Sequence, residues 1–91
     1  MNLCVNSTFS CSVAEFNEAF SKFEDEMNKF ASDFKVGVVN DNEVIIMVNV
    51  TDFEAMETFM TSPEITQWNE ENNNVDILYS IERMDEIVKM P

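Results

Sequence analysis

The chain of 91 residues contains no histidine, one glycine, two prolines, two cysteines and five basic residues. Without histidine, the protein lacks the most frequent general base, haem ligand and transition-metal ligand. The two cysteines, Cys4 and Cys11, are too few for a disulfide framework, and their spacing matches no zinc or redox motif. We therefore expect free thiols in a reducing compartment.

Positive charge is scarce as well, because 18 acidic residues stand against the five basic ones and give a formal net charge of -13. A chain of this charge is repelled by phosphate backbones and by anionic membranes. No apolar run approaches the roughly 20 residues of a membrane span, and the N-terminal residues lack the features of a signal peptide. We predict a cytoplasmic protein without a nucleic-acid or membrane partner.

Motifs of catalysis and metal binding are also missing. The sequence has no Ser-His-Asp or Cys-His constellation, no phosphate-binding glycine loop and no dinucleotide fingerprint. The turn Asn40–Glu43 is rich in oxygen ligands but lacks the glycine and the spacing of a calcium loop. We therefore expect no metal and no cofactor, the catalytic residues are unknown, and the sequence favours a non-catalytic protein over an enzyme.

A hairpin from Phe34 to Val50 is the most strongly patterned stretch. Residues Phe34–Val39 and Glu43–Val50 are rich in β-branched side chains, and they flank a polar turn, Asn40–Asn42. The second strand does not alternate apolar with polar residues, so both of its faces are predicted to be covered.

The residues before the hairpin predict a strand and a helix. Residues 2–9 alternate, with Leu3, Val5 and Phe9 on the inner side. Ser12 and Glu15 have the spacing of a capping box and predict a helix start. The helix should run to about Ser32, because apolar residues recur at helical spacing at Phe16, Phe20, Phe23, Met27 and Phe30.

The residues after the hairpin predict a broken helix and a last strand. Thr51–Glu54 has the spacing of a second capping box. Ser62-Pro63 then interrupts the helix and starts a shorter one, because serine suits the N-cap and proline the first turn. Val75–Glu82 predicts a strand whose core-facing residues are Val75, Ile77, Tyr79 and Ile81.

This order of elements predicts one α+β domain over residues 1–91, with the ferredoxin-like βαββαβ arrangement. In that arrangement a four-stranded antiparallel sheet has its first and third strands at the centre and its helices on one face. The other surface of the sheet, which we call the open face, would then expose Ile45 and Met47 to water unless a second chain covered it.

The segment Val44–Trp68 resembles a known family. It reads Val48-Asn-Val-Thr-Asp-Phe-Glu-Ala-Met-Glu-Thr-Phe-Met-Thr-Ser-Pro-Glu64, with Trp68 beyond, and is similar to dimeric α/β-barrel proteins of the antibiotic-biosynthesis monooxygenase and stress-responsive type. The resemblance implies a homodimeric barrel with paired sheet faces and a small cavity for an organic molecule in each half. Members that are cofactor-free oxygenases or bind haem usually line the pocket with histidine, tryptophan and asparagine, whereas this chain has no histidine.

The open face is the predicted ligand site. Strand alternation groups Ile45, Met47 and Asn49 with Cys4, Asn6, Lys35, Gly37, Leu78, Ser80 and Glu82 on this face. Six residues are candidate ligand contacts: Asn6, Met47, Asn49, Trp68, Leu78 and Glu82. A dry subunit interface remains an alternative, since Asn49 would serve equally as a structural amide and Trp68 as the closure of the core.

Three functional hypotheses follow. The leading one is a homodimeric barrel protein that binds a small hydrophobic or aromatic molecule at the open face. The second is a small cofactor-free enzyme of the monooxygenase, isomerase or cyclase type, in which Asn49, Trp68 and Glu82 orient an organic metabolite. The third is an acidic interaction module for a basic partner protein.

Overall fold

The computed structural model describes residues 1–82, which form four strands and four helices. Their bounds are β1 Leu3–Thr8, α1 Val13–Lys22, α2 Glu24–Met27, β2 Ala31–Asn40, β3 Glu43–Val50, α3 Phe53–Met60, α4 Pro63–Glu71 and β4 Val75–Ser80. The strands make one antiparallel sheet in the order β2-β3-β1-β4. The predicted ferredoxin-like order, with the first and third strands at the centre, is confirmed.

The hairpin of β2 and β3 is also confirmed. Phe34 lies opposite Val48 and Val36 opposite Ile46, so these residues share the side of the sheet that faces the helices. The turn is closed by the side chain of Asn40, whose Oδ1 accepts the Asn42 N–H at 2.8 Å. Asparagine favours such turns because its side chain can replace a backbone acceptor.

The core lies between the sheet and the helices. Val44 on β3 is fully buried, and Leu3, Val5, Val48 and Val50 bury the same side of the central strands. Aromatic rings from the helices and loops complete the core through pairs that include Phe9–Phe16 at 4.8 Å, Phe30–Phe59 at 5.3 Å and Phe23–Phe59 at 5.8 Å between centroids.

The first helical segment is shorter than predicted. Helix α1 ends at Lys22, a single turn of α2 follows, and β2 begins at Ala31, where a helix to Ser32 was expected. The apolar residues from Phe16 to Phe30 still pack into the core. Ala31, however, pairs with Val50 in the sheet, so the backbone must be extended there. Three acidic residues at the start of α2, Glu24–Glu26, favour a new helix N-terminus there, because the helix dipole attracts negative charge.

The helix N-caps agree with those predicted from the sequence, except at α3. The Ser12–Glu15 capping box is present, with the Glu15 N–H donating to Ser12 Oγ at 3.2 Å. Helix α3 is capped by Asp52 and not by Thr51: Asp52 Oδ1 accepts the Ala55 N–H at 3.0 Å. The Thr51 N–H instead donates to the Phe30 carbonyl at 2.7 Å, which keeps Thr51 outside the helix.

Strand β4 presents the opposite faces from those predicted. Asn6 pairs with Ile77 and Cys4 with Tyr79, so Ile77 and Tyr79 lie on the open face, whereas Leu78 pairs with Val5 on the helix side. A shift of one residue in register reverses every side chain of a strand. The register here is held by Asn74, as described below, and the predicted core position of Tyr79 is therefore wrong.

No helix within residues 1–82 has both the length and the apolar character needed to cross a membrane.

Candidate ligand-binding site

A cavity of about 130 Å³ lies between the helices and the sheet. Its walls are mostly apolar and come from all four strands and all four helices. They include Leu3, Val5, Phe16, Phe20, Phe23, Met27, Phe30, Phe34, Ile46, Val48, Met56, Phe59, Met60, Ile65 and Trp68. The exposed residue Leu78 belongs to the same lining, so this helix–sheet cavity reaches the surface beside β4.

Two aromatic pairs in the walls of this cavity meet edge to face. Phe20 and Phe34 pack at 5.6 Å with an interplanar angle of 89°, and Phe16 meets Trp68 at 6.2 Å and 65°. Such pairs are favourable, and rigid rings cannot fold into a gap as flexible side chains can. The volume compares with the engineered apolar cavity of about 150 Å³ that holds benzene. The helix–sheet cavity therefore suits a molecule of about one ring.

Few polar side chains line this cavity. They are Ser7, Asn69, Asn74 and Asp76. Ser7 is only 2% exposed, and Asp76 lies opposite it in the sheet register. Asp76 is the one ionisable side chain among the lining residues in the described part of the chain. An apolar pocket with a few convergent polar groups is the usual form of a small-molecule site.

An asparagine run, Asn72–Asn74, joins the turn after α4 to the end of β1. The Asn72 carbonyl accepts the Ser10 N–H at 2.8 Å, and the Asn73 Nδ2 donates to Ser10 Oγ at 3.2 Å. The Asn74 Nδ2 donates to Ser7 Oγ at 2.8 Å and to the Thr8 carbonyl at 3.0 Å. Asn73 has φ of 49°, which asparagine tolerates better than most residues. This run fixes the register of β4 and the position of Ser7.

The six predicted site residues lie in three places. Trp68 and Leu78 line the helix–sheet cavity, although Leu78 was expected on the open face. The open face carries Asn6, Met47 and Asn49, and Glu82 lies beyond the end of β4. The structure therefore does not bring the six residues together.

The two amides of the open face already have partners. The Asn49 Nδ2 donates to Ser32 Oγ at 2.8 Å, and the Asn6 Nδ2 donates to Glu43 Oε2 at 3.0 Å. These bonds support the structural interpretation of Asn49 that the sequence left open.

Ser7, Asn74 and Asp76 were not among the predicted site residues. A sequence signal for Ser7 was present, because it occupies the apolar side of a strand between Val5 and Phe9. A hydroxyl at a core position of a strand is a buried polar group that needs a hydrogen-bond partner. Asn74 and Asp76 could not be connected to Ser7 without the register of β4.

The open face has two rows of side chains that cross all four strands. One row is Lys35, Met47, Cys4 and Tyr79, and the other is Gly37, Ile45, Asn6 and Ile77. The apolar members of these rows, Ile45, Met47, Ile77 and Tyr79, are all exposed. Several large apolar side chains exposed on one face are typical of an interaction site.

Cys11 is a buried thiol beside Phe9, Phe16 and Val44. Burial raises the pKa of this thiol, and the nearby carboxylate of Glu15 raises it further. Cys11 is therefore kept in its unreactive thiol form. Cys4 is free as well.

No protein-family model and no curated protein matches the chain. Solved structures do match it. SnoaB, a cofactor-independent oxygenase from Streptomyces nogalater, superposes with a TM-score of 0.63 at 13% identity, over 92% of this chain and 94% of that one. A candidate antibiotic biosynthesis monooxygenase of Deinococcus radiodurans superposes with a TM-score of 0.58 at 16% identity, over 93% of this chain and 95% of that one. The chain therefore shares the ferredoxin-like fold of these two structures.

Proposed function

We propose that this protein binds a single-ring hydrophobic or aromatic molecule in the helix–sheet cavity. The observation that carries the proposal is an apolar cavity of about 130 Å³ with an opening beside Leu78 and few polar groups in its walls. A ligand of six or seven heavy atoms has little surface to bury, so we expect dissociation constants in the high-micromolar to millimolar range.

The proposal includes a homodimer joined through the open face. It is supported by four exposed apolar side chains of the open face that the helices do not cover: Ile45, Met47, Ile77 and Tyr79. The fold shared with antibiotic-biosynthesis monooxygenase-type proteins is compatible with such pairing. The net charge of -13 opposes association, so we expect the dimer to be weaker at low salt.

The binding proposal is tested by filling the cavity from the sheet. We expect toluene to raise the melting temperature of the wild type and to change the fluorescence of Trp68, the one tryptophan of the chain, which lines the cavity. Val5→Phe should abolish both effects, because a β1 side chain on the helix side can extend only toward the cavity. Val5→Leu serves the same purpose if phenylalanine overpacks the site.

The matched control is Val38→Phe, at an exposed position outside the cavity lining. This variant should keep the full response to toluene. The proposal is wrong if toluene, benzene, cyclohexane and phenol all leave the wild type unchanged. It is also wrong if Val5→Phe, folded, binds toluene as tightly as Val38→Phe does.

A second candidate function is a cofactor-free oxygenase. Asp76 favours it, because a carboxylate in the cavity lining can accept a proton from a bound substrate. SnoaB, the structural neighbour, is a cofactor-independent oxygenase.

For this candidate we expect oxygen uptake with single-ring hydroquinones, and Asp76→Asn should lower kcat by about 100-fold or more without loss of binding. An oxygen electrode measures the rate, and calorimetry measures the binding. If oxygen uptake with the wild type equals the uncatalysed rate for every hydroquinone tested, this candidate is excluded and the binding proposal is unaffected.

A further inference from the structure

We infer that the Ser7 hydroxyl is a specificity-determining hydrogen-bond donor, which selects a cavity ligand that carries an uncharged hydroxyl group on its ring. Asn74 is the positioning residue that orients Ser7 for this purpose. The inference rests on the proposed binding function and assigns the chemical class of its ligand.

Ser7 occupies a buried position on the apolar side of β1. It follows Leu3 and Val5 on the helix side of the central strand β1 and precedes Phe9, and all four residues are buried. A buried hydroxyl is unfavourable unless its hydrogen bonds are made, whereas a small apolar residue at this position carries no such cost.

The Ser7 hydroxyl accepts a hydrogen bond within residues 1–82 but donates none. A serine hydroxyl has one hydrogen to donate and two lone pairs to accept with. The Asn74 Nδ2 occupies one lone pair at 2.8 Å. Among residues 1–82, no acceptor is hydrogen-bonded to the Ser7 hydroxyl hydrogen, and Ser7 lines the cavity. The free O–H is therefore available to a ligand.

The orientation of the Asn74 amide is fixed by a second bond. Its Nδ2 also donates to the Thr8 carbonyl at 3.0 Å, and a carbonyl oxygen can only accept. A flipped amide would place oxygen against oxygen, so the nitrogen must face both Ser7 and Thr8. The Asn74 N–H donates to the Asn69 carbonyl at 2.9 Å and holds the residue in place. Ser7 is thus made the acceptor toward Asn74, and its hydrogen is left free to point away from that residue.

Asp76 supplies the complementary acceptor. It lies opposite Ser7 in the β1–β4 register, which places the two Cα atoms about 4.5–5.5 Å apart, and it also lines the cavity. A ligand hydroxyl can accept from Ser7 and donate to Asp76 at the same time. A ligand carboxylate would be repelled by Asp76 and by the acidic chain. The pair therefore matches phenols and ring alcohols.

The test compares toluene with phenol, which have nearly the same shape and differ by a methyl in place of a hydroxyl. Calorimetric titration of the full chain gives the ratio of the two affinities. Ser7→Ala should lower the affinity for phenol by about tenfold and leave that for toluene unchanged or slightly increased. Ser7→Thr, which keeps the hydroxyl, should retain the wild-type ratio.

Asn74→Ala tests the positioning role. It should lower the phenol-to-toluene ratio in the same direction as Ser7→Ala, whereas a merely structural loss would weaken both ligands equally. If Ser7→Ala folds poorly, Ser7→Cys gives the same comparison with a weaker donor.

The outcomes separate this inference from the function on which it rests. If neither toluene nor phenol binds the wild type, the proposed function itself is wrong. If toluene binds but Ser7→Ala leaves the phenol-to-toluene ratio at its wild-type value, the cavity is a binding site and the role of Ser7 is refuted.

Discussion

Replacing Phe30 with alanine is expected to lower the free energy of unfolding by about 3–5 kcal/mol, because the substitution removes a buried ring and leaves a void. Phe30 is 5% exposed, and its ring lies 5.3 Å from that of Phe59. Domains of this size are commonly stable by about 5–15 kcal/mol, so the loss would leave a marginal protein. Urea unfolding followed by circular dichroism measures the change.

Phe53→Ala is the matched control for this prediction. Phe53 is the first residue of α3 and is 51% exposed, so its replacement should change the free energy of unfolding by about 0.5 kcal/mol or less. Equal losses for the two variants would show that the region around Phe30 and Phe59 is not the core described above.

Ile45→Lys is expected to raise the dissociation constant of the proposed dimer by about 100-fold or more, so that the variant is monomeric. Ile45 lies on the open face at 37% exposure, in a row with Asn6 and Ile77. A lysine in the paired faces would be buried without a partner, and such a charge costs about 3–5 kcal/mol. Sedimentation velocity at physiological salt measures the shift.

Val38→Lys adds the same charge to the same hairpin and serves as the control. Val38 lies opposite Val44, on the side of the hairpin away from the open face, and is 61% exposed. Its replacement should leave the dissociation constant of the proposed dimer unchanged. A wild-type protein that stays monomeric at high concentration and moderate salt would contradict the dimer and leave the cavity proposal untouched.

The strands and their order were predictable because their signals are local. The β-branched runs around the turn at Asn40–Asn42 fixed the hairpin, and the alternation of Leu3 and Val5 fixed the inner side of β1. The end of α1 was not predictable in the same way. The spacing from Phe16 to Phe30 is helical throughout, and only the pairing of Ala31 with Val50 shows where the chain must become extended.

The faces of β4 show the limit of reasoning from alternation. Val75, Ile77 and Tyr79 form the more apolar side of that strand, which predicts that they face the core. Hydrogen bonds from Asn74 set a register that turns this side to the open face and brings Leu78 over the cavity. Sequence patterns alone cannot distinguish a face that packs on helices from one left for another chain.

The candidate site was predictable only in part for the same reason. Trp68 was selected as the one tryptophan of the chain, because its ring could stack on a planar ligand, and it does line the cavity. Ser7 and Asp76 come together through a pairing between strands near opposite ends of the described chain. The spacing of residues in a motif does not predict such a pairing.

The pairing of β1 with β4 also has a consequence for how the protein folds. Leu3 pairs with Ser80, and the asparagine run joins the turn before β4 to residues 7–10 of the chain. Contacts between residues far apart in sequence form late, because a long loop must close before they gain anything. We expect the hairpin and β1 to assemble first and β4 to dock last, so that the cavity wall at Ser7 and Asp76 is completed in the final step of folding.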